Sequence, residues 1–227
     1  MSAWLLRNQP GAPTTSAKAY QDNSVRDVLG TRTYWLIAVM ILLGAVGANG
    51  VLSHLAALLT ERGVSGGQTA LALSCLGGAG IAGRLLTGYL LDRFHAPTLS
   101  LFMFLLCALG MTCFAFAATA TVGIAGALLL GFGMGSESDI APYLISRYFG
   151  QGRFATLYGL SWTAYAIGGA TGPVLTGHLY DSLGSYRPGI ILLPGGTSAI
   201  AAFLNLALPR YTNQESIEMT LSAVAVD

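Results

Sequence analysis

From residue 34 onward the chain alternates between long apolar runs and short polar breaks. A helix needs about 20 apolar residues to cross a bilayer. Six runs meet that length: Tyr34–Leu59, Leu71–Leu91, Thr98–Ala118, Val122–Ser146, Ala155–Leu179 and Gly189–Leu208. Barrel strands would show stretches of about 10 residues in strict alternation, and these runs are continuous. The pattern predicts an all-α integral membrane fold with six transmembrane helices in one bundle. The breaks "TERGVSGGQT", "DRFHAP" and "TAT" are too short to hold a further domain.

Residues 1–33 read differently. "RNQPGAPTTSAKAYQDNSVRD" is rich in Pro, Ser, Thr, Asn and Gln and predicts a flexible cytoplasmic arm. The opening "MSAWLL" is too short for the apolar region of a signal peptide. Residues 210–227 are expected to form a short cytoplasmic tail, since "SIEMTLSAVAV" is too brief to span.

Composition sharpens this picture. Of the 227 residues 53% are hydrophobic and only 9% charged, where a soluble domain averages about 25% charged. A net charge of +1 gives no reason to expect a nucleic-acid partner. Cys75, Cys107 and Cys113 all lie in apolar runs, with no metal spacing and no disulfide framework. No metal or cofactor is expected. With both termini inside, the cytoplasmic segments carry Arg7, Lys18, Arg26, Arg32, Arg93, Arg147, Arg153 and Arg210, against Arg62 and Arg187 outside. That asymmetry sets the orientation.

The charged residues within the spans are the candidate chemistry. Arg84 lies seven residues before Leu91, about 10 Å inside the end of its helix. A guanidinium at that depth costs about 3 kcal/mol and needs a carboxylate, a carbonyl, water or a substrate anion. Gly77, Gly80, Gly88 and Asp92 share its helix face and keep most of it small. In the fourth span Glu137 and Asp139 are two acids at membrane depth, and such acids are usually paired. Asp139, Tyr143 and Arg147 follow one face at intervals of four, and Glu137 points away from it. Pro142 removes a backbone donor and frees the Ser138 carbonyl. One acid is a candidate proton carrier. The alternative is that the two hold Arg93 and Arg147 at a cytoplasmic gate.

The fifth span reads "YGLSWTAYAIGGATGPVLTGHLYD", with Gly168, Gly172, Pro173 and Gly177 at near-helical spacing. Small residues of this kind let membrane helices approach closely. Trp162 and Tyr165 could line a cavity or pack in the core. In the first span Asn49 and His54 either face a cavity or bond a neighbour.

Several of these elements resemble the Major Facilitator Superfamily. "G-x-x-x-D-R", Gly88 to Arg93, is similar to its loop signature, although His95-Ala96-Pro97 replace the usual Gly and basic continuation. That signature implies a latch, with Asp92 near a helix N-terminus and Arg93 near an acid. The Gly172-Pro173 pair resembles a motif of facilitator antiporters. Asn49 and His54 with "LLTERGVS", Arg84 before "GYLLDR", "GSESDIAPYLISRYFG" and "DSLGSY" resemble the C-terminal half of the oxalate/formate antiporter and monocarboxylate transporter subgroup. The resemblance covers Thr33 to Pro209. It implies that Arg84 meets a substrate carboxylate, and that Asn49, His54, Trp162 and Tyr165 lie near the substrate. A second cation found in the oxalate antiporter is replaced here by Tyr165, which argues against a dicarboxylate held between two cations and favours a monocarboxylate or another small organic solute.

The resemblance further implies a bacterial inner membrane and alternating access against a second six-helix half. That half is a separate chain or another copy, and residues 1–33 resemble the link that joins two halves. The implied partners are a small organic anion, protons, membrane lipid and that second half. The alternative is an inactive or regulatory half that only binds partner helices. An enzyme is not expected: Gly159-Leu160-Ser161-Trp162 with His178 fails the rhomboid "GxSG" pattern, and no "HExxH" occurs.

Overall fold

The computed structural model describes residues 25–209. A short helix, α1 (Val25–Leu29), leads into α2 (Arg32–Glu61). Residues 25–33 of the expected arm are therefore helix and turn, and the rest of the arm lies outside the described residues, as does the tail from residue 210. Four long helices follow: α3 (Gly66–Leu91), α4 (Ala96–Ala115), α5 (Ala120–Phe149) and α6 (Phe154–Leu183). The last span is broken into α7 (Tyr186–Ile190), a π-turn over Ile191–Gly195, α8 (Gly196–Leu204) and a 3₁₀ turn over Asn205–Ala207.

Local chemistry sets the ends. Ser65 and Gln68 form a reciprocal capping box, so α3 starts at Gly66, five residues before its apolar run. Thr31 and Thr119 cap α2 and α5 by accepting from Tyr34 N and Val122 N. Gly184, at φ 65°, closes α6 in the left-handed conformation that glycine tolerates best. Pro194 has no N–H to continue the ladder, and the wider π-turn takes up its ring.

Among the described residues five segments are both long and apolar enough to cross a membrane: α2, α3, α4, α5 and Tyr186–Ala207. The sixth helix, α6, matches them in length with 30 residues. Its Ser, Thr, Gly, Tyr and Trp content makes it the less apolar one. It packs along α2.

The bundle is organised around two parallel pairs, α2 with α6 and α3 with α5, and α4 packs against α5. Glycines seal both pairs. A Cβ on Gly83 would collide with the Phe132 backbone, and one on Gly135 with the Gly80 backbone. Across the other pair, a Cβ on Gly168 would strike the Leu42 carbonyl and one on Gly172 the Val46 backbone. Lipid removes the hydrophobic drive between helices, so this backbone-to-backbone packing carries the association. A buried hydrogen bond adds to the α3–α5 contact: Thr87 Oγ1 donates to Ser136 Oγ at 2.6 Å, and Ser136 Oγ donates to Phe132 O at 2.9 Å.

Of these five segments α2 is the most enclosed and α3 the least. Only one stripe of α3, Thr69, Ala72, Ala79, Gly83, Thr87 and Leu91, is buried. Most of the remainder, with Ile81, Leu85 and Tyr89, is left exposed by the bundle.

Candidate functional site

Arg84 projects from the exposed side of α3. Its Nε stands 3.8 Å from Asp139 Oδ1 on α5, with the two side chains 60% and 34% exposed. This is a single contact through Nε, at a distance beyond a good hydrogen bond. The pair therefore tethers the guanidinium without enclosing it. Its cause is the glycine contact below: with Gly80 and Gly135 backbone to backbone, residues four further along each helix come within side-chain reach. Gly77 and Gly88 have open space where a Cβ would stand, so the face around Arg84 is uncovered.

One turn further, Tyr143 Oη donates to Leu91 O at 3.2 Å. Arg147 lies over the Tyr143 ring at 5.0 Å, and Arg93 lies over Tyr89 at 4.4 Å. The expected gate, in which Glu137 and Asp139 hold these two arginines, is not formed. Asp139 is engaged by Arg84, while Arg147 rests on the Tyr143 ring of its own helix and Arg93, just past the end of α3, on the Tyr89 ring. Asp92 is the exposed C-cap of α3, three residues before His95, the N-cap of α4.

A cleft opens between α2, α5 and α6. It holds about 490 Å³ of space, its mouth included. Ile41 and Ala48 line one wall; Met134, Glu137, Ser138 and Ala141 line the second; Tyr158, Ser161, Trp162 and Tyr165 line the third. Each set follows helical spacing, so one face of each helix is turned to the cleft. Rings run along α6: Phe154 stacks on Tyr158 at 5.5 Å, Trp162 meets Tyr158 edge-on at 6.1 Å, and Tyr165 meets Trp162 edge-on at 4.8 Å. Glu137 leans on α2 and α4, where a Cβ on Gly44 would meet both its carboxylate and Phe104. Its Oε1 is buried without a hydrogen-bond partner among the described residues.

Of the residues singled out in the sequence, the structure brings Glu137, Trp162 and Tyr165 into the cleft. Arg84 and Asp139 lie on another side of α5. Asn49 stands at the cleft's edge; its Nδ2 donates to Ala45 O at 3.0 Å and lies 3.5 Å from Tyr165 Oη. His54 is not in the cleft. Its Nε2 is 3.0 Å from Pro173 O, and its Nδ1 is 3.3 Å from Tyr186 Oη. A carbonyl only accepts, so Nε2 carries the proton and Nδ1 accepts from tyrosine. Both nitrogens are used in joining α2 to α6 and α7. The ring of Tyr158 completes a cleft wall that the sequence signals only by its spacing of four from Trp162.

Comparison with known proteins agrees with this architecture. The family model for the Major Facilitator Superfamily matches residues 1–173 and 37–220. "Uncharacterized MFS-type transporter YhjX" of Escherichia coli (strain K12) is 24% identical over 172 residues, covering 73% of this chain and 42% of that protein. "Monocarboxylate transporter 13" of Rattus norvegicus is 28% identical over 141 residues, or 61% and 33% of the two chains. "Monocarboxylate transporter 11" of Homo sapiens is 28% identical over 168 residues, or 69% and 35%. The alignments thus span between a third and a little over two fifths of these relatives' lengths. With a six-helix bundle built on two glycine-sealed parallel pairs and a family model covering most of its length, the chain is an integral membrane member of the Major Facilitator Superfamily.

Proposed function

We propose that this chain is one half of a secondary active transporter for a small organic anion, a monocarboxylate, working by alternating access against a second six-helix half. The observation that carries the reading is the exposed Arg84 guanidinium at membrane depth, held by one 3.8 Å contact and otherwise uncovered. Two relatives named as monocarboxylate transporters support the substrate class. The open side of α3 is the surface we assign to the second half, because an arginine turned to lipid there would cost about 3 kcal/mol or more. We place both termini in the cytoplasm of a bacterial inner membrane, on the arginine distribution and on the likeness to YhjX.

The Arg84–Asp139 pair supplies a coupling scheme. A carboxylate substrate competes with Asp139 for the guanidinium. Once displaced, Asp139 loses its counter-ion and takes up a proton, so anion and proton bind together. When the anion leaves, Arg84 returns to Asp139 and the proton is released. Asp139 is the proton-coupling residue in this scheme, and Arg84 is the substrate ligand.

The test is uptake of radiolabelled lactate by cells producing the chain, alone and together with a second six-helix half. Uptake that Arg84→Ala abolishes at unchanged protein level supports the reading. Absence of uptake in both settings supports a regulatory half that only binds partner helices.

A further inference from the structure

The cleft between α2, α5 and α6 has a chemistry that the anion reading does not use. Its lining carries one carboxylic acid, Glu137, and no basic side chain among the described residues. That carboxyl forms no ion pair or hydrogen bond among the described residues, and its Oε1 is buried. Tyr158, Trp162 and Tyr165 line the wall that α6 contributes to the same cleft, and Trp162 is 48% exposed. An aromatic face attracts a cation through the ring quadrupole, and a desolvated site strengthens the attraction. Elsewhere the chain places its own arginines on rings: Arg93 on Tyr89, Arg147 on Tyr143 and Arg187 on Phe116. The cleft rings and Glu137 have no such cation supplied from within the bundle.

We infer that this cleft binds the ammonium group of a small organic cation, with Tyr158, Trp162 and Tyr165 as its aromatic wall and Glu137 as its counter-charge. The rings favour a quaternary or alkylated ammonium over a small hydrated metal ion, since a methylated nitrogen sheds water readily and spreads its charge over a surface that matches a ring face. Asn49 and Ser138 at the margin provide polar groups for a hydroxyl on the same solute. The site is separate from Arg84, which is on another side of α5, so it stands or falls independently of the anion reading.

Trp162 is the natural reporter. The chain has three tryptophans, Trp4, Trp35 and Trp162, so Trp4→Phe with Trp35→Phe leaves one indole. The full chain in lipid nanodiscs is titrated with choline, with 3,3-dimethylbutan-1-ol as its uncharged isostere, and with lactate. The inference predicts saturable quenching by choline, binding of the alcohol weaker by about tenfold or more, and no saturable response to lactate. Glu137→Gln abolishes the preference for choline over the alcohol. Tyr158→Leu weakens choline several-fold while Tyr158→Phe retains it, which decides the matter if Glu137→Gln does not fold. Equal binding of choline and the alcohol, a response to lactate in place of choline, a titration with choline that does not saturate, or an unchanged choline preference in folded Glu137→Gln overturns the inference.

Discussion

Arg84 and Asp139 face each other across the parallel α3–α5 contact, 3.8 Å apart, with more than half of the arginine still exposed. A partnership this loose is one that an incoming carboxylate can break. In the proposed scheme Asp139→Asn removes the competitor for Arg84 and the proton acceptor together. Anion binding should strengthen several-fold, and uptake should lose its dependence on the proton gradient. Counterflow exchange and gradient-driven uptake, compared in proteoliposomes, separate the two effects. If exchange and gradient-driven uptake fall together, Asp139 has no coupling role.

The glycine contacts make a prediction about folding alone. Gly135 and Gly172 each lie against backbone of the neighbouring helix, where no side chain can swing aside. Gly135→Leu should separate α3 from α5, and Gly172→Leu should separate α2 from α6. Gly88→Leu, with open space around it, should leave the bundle intact. Yield of monodisperse protein in detergent reads the difference.

His54 is predicted to hold helices together and not to touch substrate. Its two hydrogen bonds tie α2 to α6 and α7, and in membrane proteins each such bond contributes about 0.6 kcal/mol. His54→Ala should lower thermal stability modestly and leave the apparent KM for the anion unchanged. A raised KM with normal stability would return His54 to the substrate site.

The proposed orientation has a direct check. Single cysteines are introduced at Gly152, in the break between α5 and α6, and at Gly63, in the break between α2 and α3, in a background with Cys75, Cys107 and Cys113 replaced. A membrane-impermeant maleimide applied to intact cells should label Gly63→Cys and spare Gly152→Cys. The reverse pattern would invert the assignment.

Much of this fold was legible before the structure. The positions of the six runs depend on bilayer thickness, a single length scale, and five of the six coincide with continuous helices. The exception is the last run, where Pro194 forces a π-turn that hydropathy cannot register. Ends moved where capping overrode apolarity, as at Ser65 and Gln68. The site was less legible, because helical spacing assigns a residue to a face and leaves its partner undetermined. Periodicity puts Asp139 and Arg147 on one face of their helix, yet the partner of Asp139 is Arg84 on another helix. That choice is made by the depth at which Gly80 meets Gly135, a tertiary fact. Glu137, for which the sequence offers a proton carrier or a partner for cytoplasmic arginines, borders a cleft whose other walls come from α2 and α6.

The central claim is that Arg84 meets the transported anion, and uptake measures it most directly. Lactate uptake is compared for the parent chain, Arg84→Ala and Arg84→Lys, each produced with a second six-helix half and matched for membrane level. The account predicts saturable uptake by the parent, none by Arg84→Ala, and a weakened remnant with raised KM for Arg84→Lys, which keeps the charge without the two-pronged geometry. Uptake by Arg84→Ala equal to the parent would contradict it.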